Sequence, residues 1–174
     1  MDENSLYDEL DNSREQLLVL LDGLTDEEIL HPNTIGNWSI ADFLVHLAIW
    51  EAELVTGLMK IKKGQKPTNL LKALNSRDQY IHTRVTKAQG RELERVFDDL
   101  QRARFHLEQW VGKFRVRDLT NPKKYKWLKG RTLWHLIGDC SFKHEAKHLP
   151  ALEAAINNLS KPIVNVNSIE VLND

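Results

Sequence analysis

The chain is poor in cysteine, glycine and proline, with one cysteine, Cys140, 8 glycines and 5 prolines among 174 residues. A single cysteine forms no internal disulfide and cannot build a cysteine-based zinc site by itself. No stretch approaches the run of about 18 apolar residues that a membrane span requires. Residues 1–5 are acidic, whereas a signal peptide begins with positive charge. Together these absences predict a cytoplasmic protein that uses neither disulfides nor a membrane anchor.

The chain also lacks an excess of charge of either sign. It contains 24 lysines and arginines and 25 aspartates and glutamates, a formal net charge of −1. Proteins dedicated to nucleic-acid binding normally show a basic excess, so the balance argues against that class. We therefore expect a small-molecule partner, no nucleic acid and no membrane, and leave a homodimer open.

The length favours one domain, which we place at residues 1–160. The last stretch, 161–174, differs in character because β-branched residues alternate with asparagine and serine. Two interpretations of this tail stay open: a disordered end, or an edge strand that adds to a partner.

Hydrophobic periodicity predicts an all-α protein, an antiparallel bundle of four long helices. The predicted helices run from about Ser5 to Leu21, Ser39 to Lys63, Arg91 to Val111 and Thr132 to Leu159. A weaker helical pattern at Leu70–Lys87 lies in a long connection between the second and third helices. The second helix begins with a serine followed three positions later by an aspartate, the spacing of an N-terminal capping box.

The fourth predicted helix carries two histidines on the side that should face the core. At about 100° per residue, His144 and His148 fall among Leu133, Ile137 and Ala155. Burying two imidazoles is costly unless their nitrogens have partners. Histidines four residues apart on a helix can give two ligands to one metal ion. The alternative, two core histidines bonded to polar neighbours, stays open.

The second predicted helix supplies a third histidine. His46 lies at the edge of that helix's apolar stripe, beside Asp42 and Glu53. An imidazole at this position can lean into the bundle while its other nitrogen meets a carboxylate, as in many metal sites. We therefore take His46, His144 and His148 as candidate metal ligands, and Asp42 or Glu53 as the candidate catalytic orienter or proton acceptor.

Several motifs resemble a known family. The segments Asn37–Glu51 (NWSIADFLVHLAIWE) and Phe142–His148 (FKHEAKH) resemble the second helix and the closing His-x3-His of DinB-like proteins. The segments Trp50–Leu54, Gly64–Thr68 and Trp127–Trp134 resemble the DfsB/ClbS branch more narrowly.

The resemblance implies a four-helix bundle in which His46, His144 and His148 hold a divalent metal. Some DinB-like proteins are metal-dependent thiol transferases that act on electrophiles, and the ClbS branch is associated with self-protection against a reactive genotoxin. The sequence departs from the branch at Cys140, where an acidic residue is expected.

Two functional hypotheses follow. The first is a metal-dependent hydrolase or transferase that acts on small electrophiles, with zinc or nickel as the expected ion. The second is a ligand-binding bundle, either non-catalytic or metal-independent, related to the ClbS-like genotoxin resistance proteins.

Overall fold

The computed structural model describes residues 3–159, and every regular element within that range is helical. In chain order the helices are α1 (Glu3–Leu21), α2 (Asp26–Leu30), α3 (Ile40–Lys62), α4 (Thr68–Asn75), α5 (Arg77–Ala88), α6 (Leu93–Val111), α7 (Val116–Thr120), α8 (Leu133–Cys140) and α9 (Phe142–Leu159), with a 3-10 turn at Lys126–Leu128. The all-α prediction is confirmed. The tail predicted at 161–174 lies outside the described residues. Among the helices seen, none combines the length and the apolar character needed to traverse a bilayer.

Local sequence signals fix where α3 begins. Ser39 accepts a hydrogen bond from the Asp42 N–H at 3.0 Å, and the Asp42 carboxylate accepts one from the Ser39 N–H at 3.0 Å. This is the predicted capping box, and it satisfies backbone donors that the first helical turn leaves free. The weak helical pattern in the following connection becomes two helices, α4 and α5, which meet at Ser76.

The prediction of one continuous helix from Thr132 to Leu159 is wrong in one respect. The chain leaves the helical conformation at Ser141, which divides the helix in two. This serine has φ −136° and ψ −113°, outside the helical region, and its hydroxyl donates to the Ile137 carbonyl at 2.6 Å. A serine side chain that bonds a preceding carbonyl competes with the helical backbone pattern. The divided helix gives α9 its own start, just before His144, and α9 then continues through Pro150.

The most extensive packing between two helices is that of α3 against α6, and α1 packs against α9. Helices α5 and α8 also pack on α3, which therefore touches most of the other elements. Buried leucines such as Leu10, Leu54 and Leu107 belong to one apolar core. The candidate ligands thus sit on α3, at the centre of the fold, and on α9 across the core from it.

Four charged side chains meet inside this core, one from each long helix. We call Arg14 (α1), Glu51 (α3), Arg104 (α6) and Glu145 (α9) the charge cluster. The two glutamates are each 1% exposed. Arg104 lies 2.6 Å from Glu51 and 3.3 Å from Glu145, and Arg14 lies 3.2 and 3.0 Å from the same carboxylates. The cluster holds two charges of each sign, so its net charge is zero.

Side-chain and backbone hydrogen bonds complete the charge cluster. The Ser13 hydroxyl donates to Glu145 at 3.0 Å, and Arg104 donates to the Leu10 carbonyl. One carboxylate oxygen, Oε2 of Glu51, has no hydrogen-bond partner within the described structure. Removing one member of a buried ion pair costs about 3–5 kcal/mol, because the remaining charge is left uncompensated. Each arginine of the cluster therefore stabilises the packing of several helices at once.

We expect Arg104→Met to lower the free energy of unfolding by about 3–5 kcal/mol, because Glu51 and Glu145 would then share a single arginine. Urea denaturation followed by circular dichroism measures the loss. The matched control is Arg102→Met on the same helix. Arg102 forms an exposed pair with Asp98 at 3.1 Å, so its replacement should change stability by about 0.5 kcal/mol or less. Equal effects of the two substitutions would contradict the structural role of the cluster.

Candidate metal centre

Two helices bring the three predicted ligands together. His46 lies in the second turn of α3, after the capping box that fixes the helix start, and His144 and His148 lie one turn apart on α9. Their ligand nitrogens all lie within 4.8 Å of one another. His46 and His144 are 6% and 8% exposed, and His148 is half-buried. The three histidines, which we call the histidine cluster, could hold a metal ion.

Within the histidine cluster, the Nε2 atom of His144 lies close to the Nε2 atoms of the other two imidazoles. Nε2 of His144 lies 3.0 Å from Nε2 of His46 and 3.2 Å from Nε2 of His148. An imidazole nitrogen carries either one proton to donate or one lone pair to accept with. The nitrogen of His144 can therefore form a good hydrogen bond with only one of its two neighbours.

A metal ion bound by all three histidines would bind the nitrogen lone pairs that hydrogen bonding within the cluster leaves without a partner. Two ligands of a tetrahedral zinc ion, each at about 2.0–2.1 Å, lie roughly 3.3 Å apart. The two nitrogen separations in the cluster are close to that value. Nδ1 of His46 is buried without a hydrogen-bond partner in the described residues, so its proton position is not fixed by a neighbour. The donor set and its spacing fit a metal ion that prefers nitrogen ligands.

Aromatic rings enclose the histidine cluster. Trp38 lies 5.3 Å from the His46 ring, Phe43 lies 5.8 Å from the His148 ring, and Trp50 lies 6.1 Å from the His144 ring, as measured between centroids. These walls restrict the rotation of the imidazoles and exclude water from the deeper two. Access is left on the side of His148, which is the most exposed of the three.

Burial keeps the histidines uncharged. Desolvation, together with smaller contributions from the neighbouring histidines and Arg77, lowers the pKa of His46 to about 3 and that of His144 to about 2. The pKa of His148 is also lowered, again mainly by burial. Neutral imidazoles have a lone pair available, so the cluster is in the state that binds a metal at neutral pH.

The two predicted catalytic carboxylates are engaged elsewhere. Asp42 accepts the Ser39 N–H and lies 3.5 Å from Nε2 of Gln89. Glu53 accepts a hydrogen bond from Tyr80 and pairs with Arg84 at 3.1 Å. Neither carboxylate bonds a histidine of the cluster in the described structure. Their catalytic roles therefore stay predictions.

Cys140 is the last residue of α8 and is 1% exposed. Its side chain is buried, and burial raises the pKa of its thiol to about 12. A thiol is nucleophilic and binds metals only as the thiolate, so this one is inert at neutral pH. The residue behaves as a small side chain of the core.

The charge cluster was not anticipated from the sequence. A signal for it exists, because Glu51, Glu145 and Arg104 each fall within or beside an apolar stripe at helical spacing. Charged residues at such positions are rarely buried unless they are paired. The sequence does not show which of them pair with one another.

Without metal, we expect the protein to lose stability as the pH falls from about 6.5 toward 5. The unfolded histidines take up protons near their reference pKa of about 6.5, whereas His46 and His144 in the fold do not until far lower pH. Stability from this source is complete above about pH 7 and declines on acidification. Urea denaturation at several pH values, with chelator present, measures the slope. His144→Leu should reduce the slope, whereas His82→Ala, at an exposed position, should leave it unchanged.

Comparison with known proteins gives one match. No curated protein and no solved structure matches the chain significantly. The family model that describes the DinB superfamily matches residues 9–150, which include α3 and the first half of α9 with all three histidines of the cluster. This match covers most of the chain, and the protein therefore belongs to the DinB superfamily.

Proposed function

We propose that the protein is a metal-dependent hydrolase or transferase that acts on small electrophiles, with His46, His144 and His148 as the metal ligands. The observation that carries the proposal is the convergence of three neutral imidazoles, two of them buried and one half-buried, on one point. DinB-like proteins often bind metals, which supports the same site. The expected ion is zinc or nickel, since both accept imidazole nitrogen readily.

A bound divalent ion would act as a Lewis acid that makes a coordinated water or thiol a better nucleophile at neutral pH. The chain's own residues prepare the site for it. Three ligands leave at least one coordination position for another molecule. Trp38, Phe43 and Trp50 limit water, and the half-buried His148 marks the open side.

Asp42 and Glu53 are the proposed proton acceptors, and Glu53 is the better placed of the two to meet a ligand. It accepts the Tyr80 hydroxyl, and Tyr80 lines a pocket of about 630 Å³ between α3 and α5. The Tyr80 ring also contacts Trp50, which borders the histidine cluster. Glu53 is thereby connected to both the pocket and the cluster through aromatic side chains.

We also propose two finer assignments. The long helices α1, α3 and α6, together with α8 and α9, would form the antiparallel four-helix bundle that the sequence predicts. The motifs at Trp50–Leu54, Gly64–Thr68 and Trp127–Trp134 support the DfsB/ClbS branch within the superfamily. A role in detoxification or self-protection follows from that branch.

We expect the purified protein to bind about one zinc or nickel ion per chain, and the ion to raise its thermal stability at about pH 7.5. An ion present at a hundred times its dissociation constant adds about 2.7 kcal/mol. Because burial lowers the pKa of all three histidines, protons compete with the ion much less than they would at free imidazoles, and the stabilisation by metal should be largely retained at about pH 5.5. Elemental analysis and thermal melts with and without chelator make the measurement.

Two histidine variants distinguish loss of metal binding from a general loss of stability. His144→Ala should abolish stoichiometric binding and the stabilisation by metal while it preserves the helical content. His82→Ala, on the exposed face of α5, should retain both. If the wild-type protein binds no metal and shows no shift, the metal-independent ligand-binding bundle becomes the better hypothesis.

A further inference from the structure

Arg77 is a partly buried arginine whose side chain has no anionic partner among the described residues. It is the first residue of α5 and is half-buried. The other arginines that are not exposed, Arg14 and Arg104, are both paired with carboxylates in the charge cluster. The guanidinium of Arg77 forms no ion pair and no hydrogen bond within residues 3–159. A partly buried guanidinium without an anion is unfavourable.

One contact holds this guanidinium in place. Its Cζ atom lies over the Trp50 ring, 5.4 Å from the centroid. The same ring makes a T-shaped contact with His144, at 6.1 Å between centroids. Arg77 and His144 therefore both contact the Trp50 indole, which places the guanidinium near the histidine cluster.

The local charge favours an anion. The positive charge of Arg77 reaches the histidine cluster, since it contributes to the lowered pKa values of His46 and His144. The cluster itself contains no carboxylate, because its three ligand groups are neutral imidazoles. A divalent ion held there would add further positive charge close to Arg77.

We propose that Arg77 binds a carboxylate group on the molecule that occupies the open position of the metal centre. This inference rests on the proposed function, and it assigns the substrate class as a carboxylate-bearing small molecule. A guanidinium placed over an aromatic ring keeps its N–H donors in its own plane, where they match the two oxygens of a carboxylate. A single guanidinium matches one carboxylate, and the nearby Arg84 already pairs with Glu53.

The test compares two thiols that differ in one group, mercaptoacetate and 2-mercaptoethanol. The protein is loaded with cobalt(II), whose charge-transfer absorption reports a bound thiolate. We expect the wild-type protein to bind mercaptoacetate about tenfold or more tightly than mercaptoethanol, as a charge-assisted pair requires. Arg77→Gln should lose that preference while its affinity for mercaptoethanol stays within about twofold, and Arg77→Lys should be intermediate.

Lys147→Gln is the matched control. Lys147 is solvent-exposed on α9 between the two histidines, and its charge also influences them. Its replacement should alter both affinities by less than about twofold, since the charge of a solvent-exposed lysine acts weakly. Equal weakening of both thiols by Arg77→Gln, or no preference in the wild-type protein, would overturn the proposal.

Two further measurements test the role of Arg77 independently of metal binding. In metal-free protein, the Trp50 indole signal in nitrogen-15 NMR should shift saturably with mercaptoacetate, and should not do so in Arg77→Gln. If cobalt does not bind, the proposed function fails and this titration alone decides the role of Arg77. The melting temperature of Arg77→Gln should equal or exceed that of the wild-type protein; a clear decrease would mark a structural role and overturn the proposal.

Discussion

The charge cluster is the constraint on which the arrangement of the long helices depends. Each of α1, α3, α6 and α9 contributes one charged side chain, and all four meet in a region with little access to water. A shift of one helix by a single turn would remove its charge from the others and leave the remainder unpaired in the core. Apolar packing tolerates many registers, whereas this cluster is satisfied in one.

The same constraint places the candidate ligands. Glu145 follows His144 directly on α9, and Glu51 lies five residues after His46 on α3. Fixing these two glutamates against Arg14 and Arg104 fixes the rotation and height of the helices that carry the imidazoles. The bundle therefore contains two adjacent polar centres of different chemistry. One pairs two arginines with two glutamates, and in the other desolvation lowers the pKa of the histidines and favours their neutral form.

The parts of the fold that could be predicted from the sequence are those with local causes. The start of α3 follows from the capping residues Ser39 and Asp42, and the inward side of α9 follows from helical spacing, so the meeting of His46 with His144 and His148 could be expected. The division at Ser141 could not, because serine is compatible with helix and its hydroxyl found a carbonyl only in the folded turn.

Interactions between distant segments escaped prediction for a different reason. Glu53 was a candidate orienter of His46, yet its carboxylate accepts a hydrogen bond from Tyr80 on α5. Arg77 lies within a weakly helical connection, and its approach to Trp50 depends on how α5 packs on α3. Such contacts join segments whose relative placement no local pattern specifies.

The all-nitrogen composition of the histidine cluster has a consequence for competition among ions. Sites without carboxylate or carbonyl oxygen discriminate strongly against calcium and magnesium, which prefer hard oxygen ligands. Among the first-row transition ions, nitrogen donors follow a fixed order of affinity in which copper(II) exceeds nickel and zinc. As ligands, the donor atoms of His46, His144 and His148 would disfavour the alkaline-earth ions, whereas the choice among the remaining ions would be set by geometry and by metal availability.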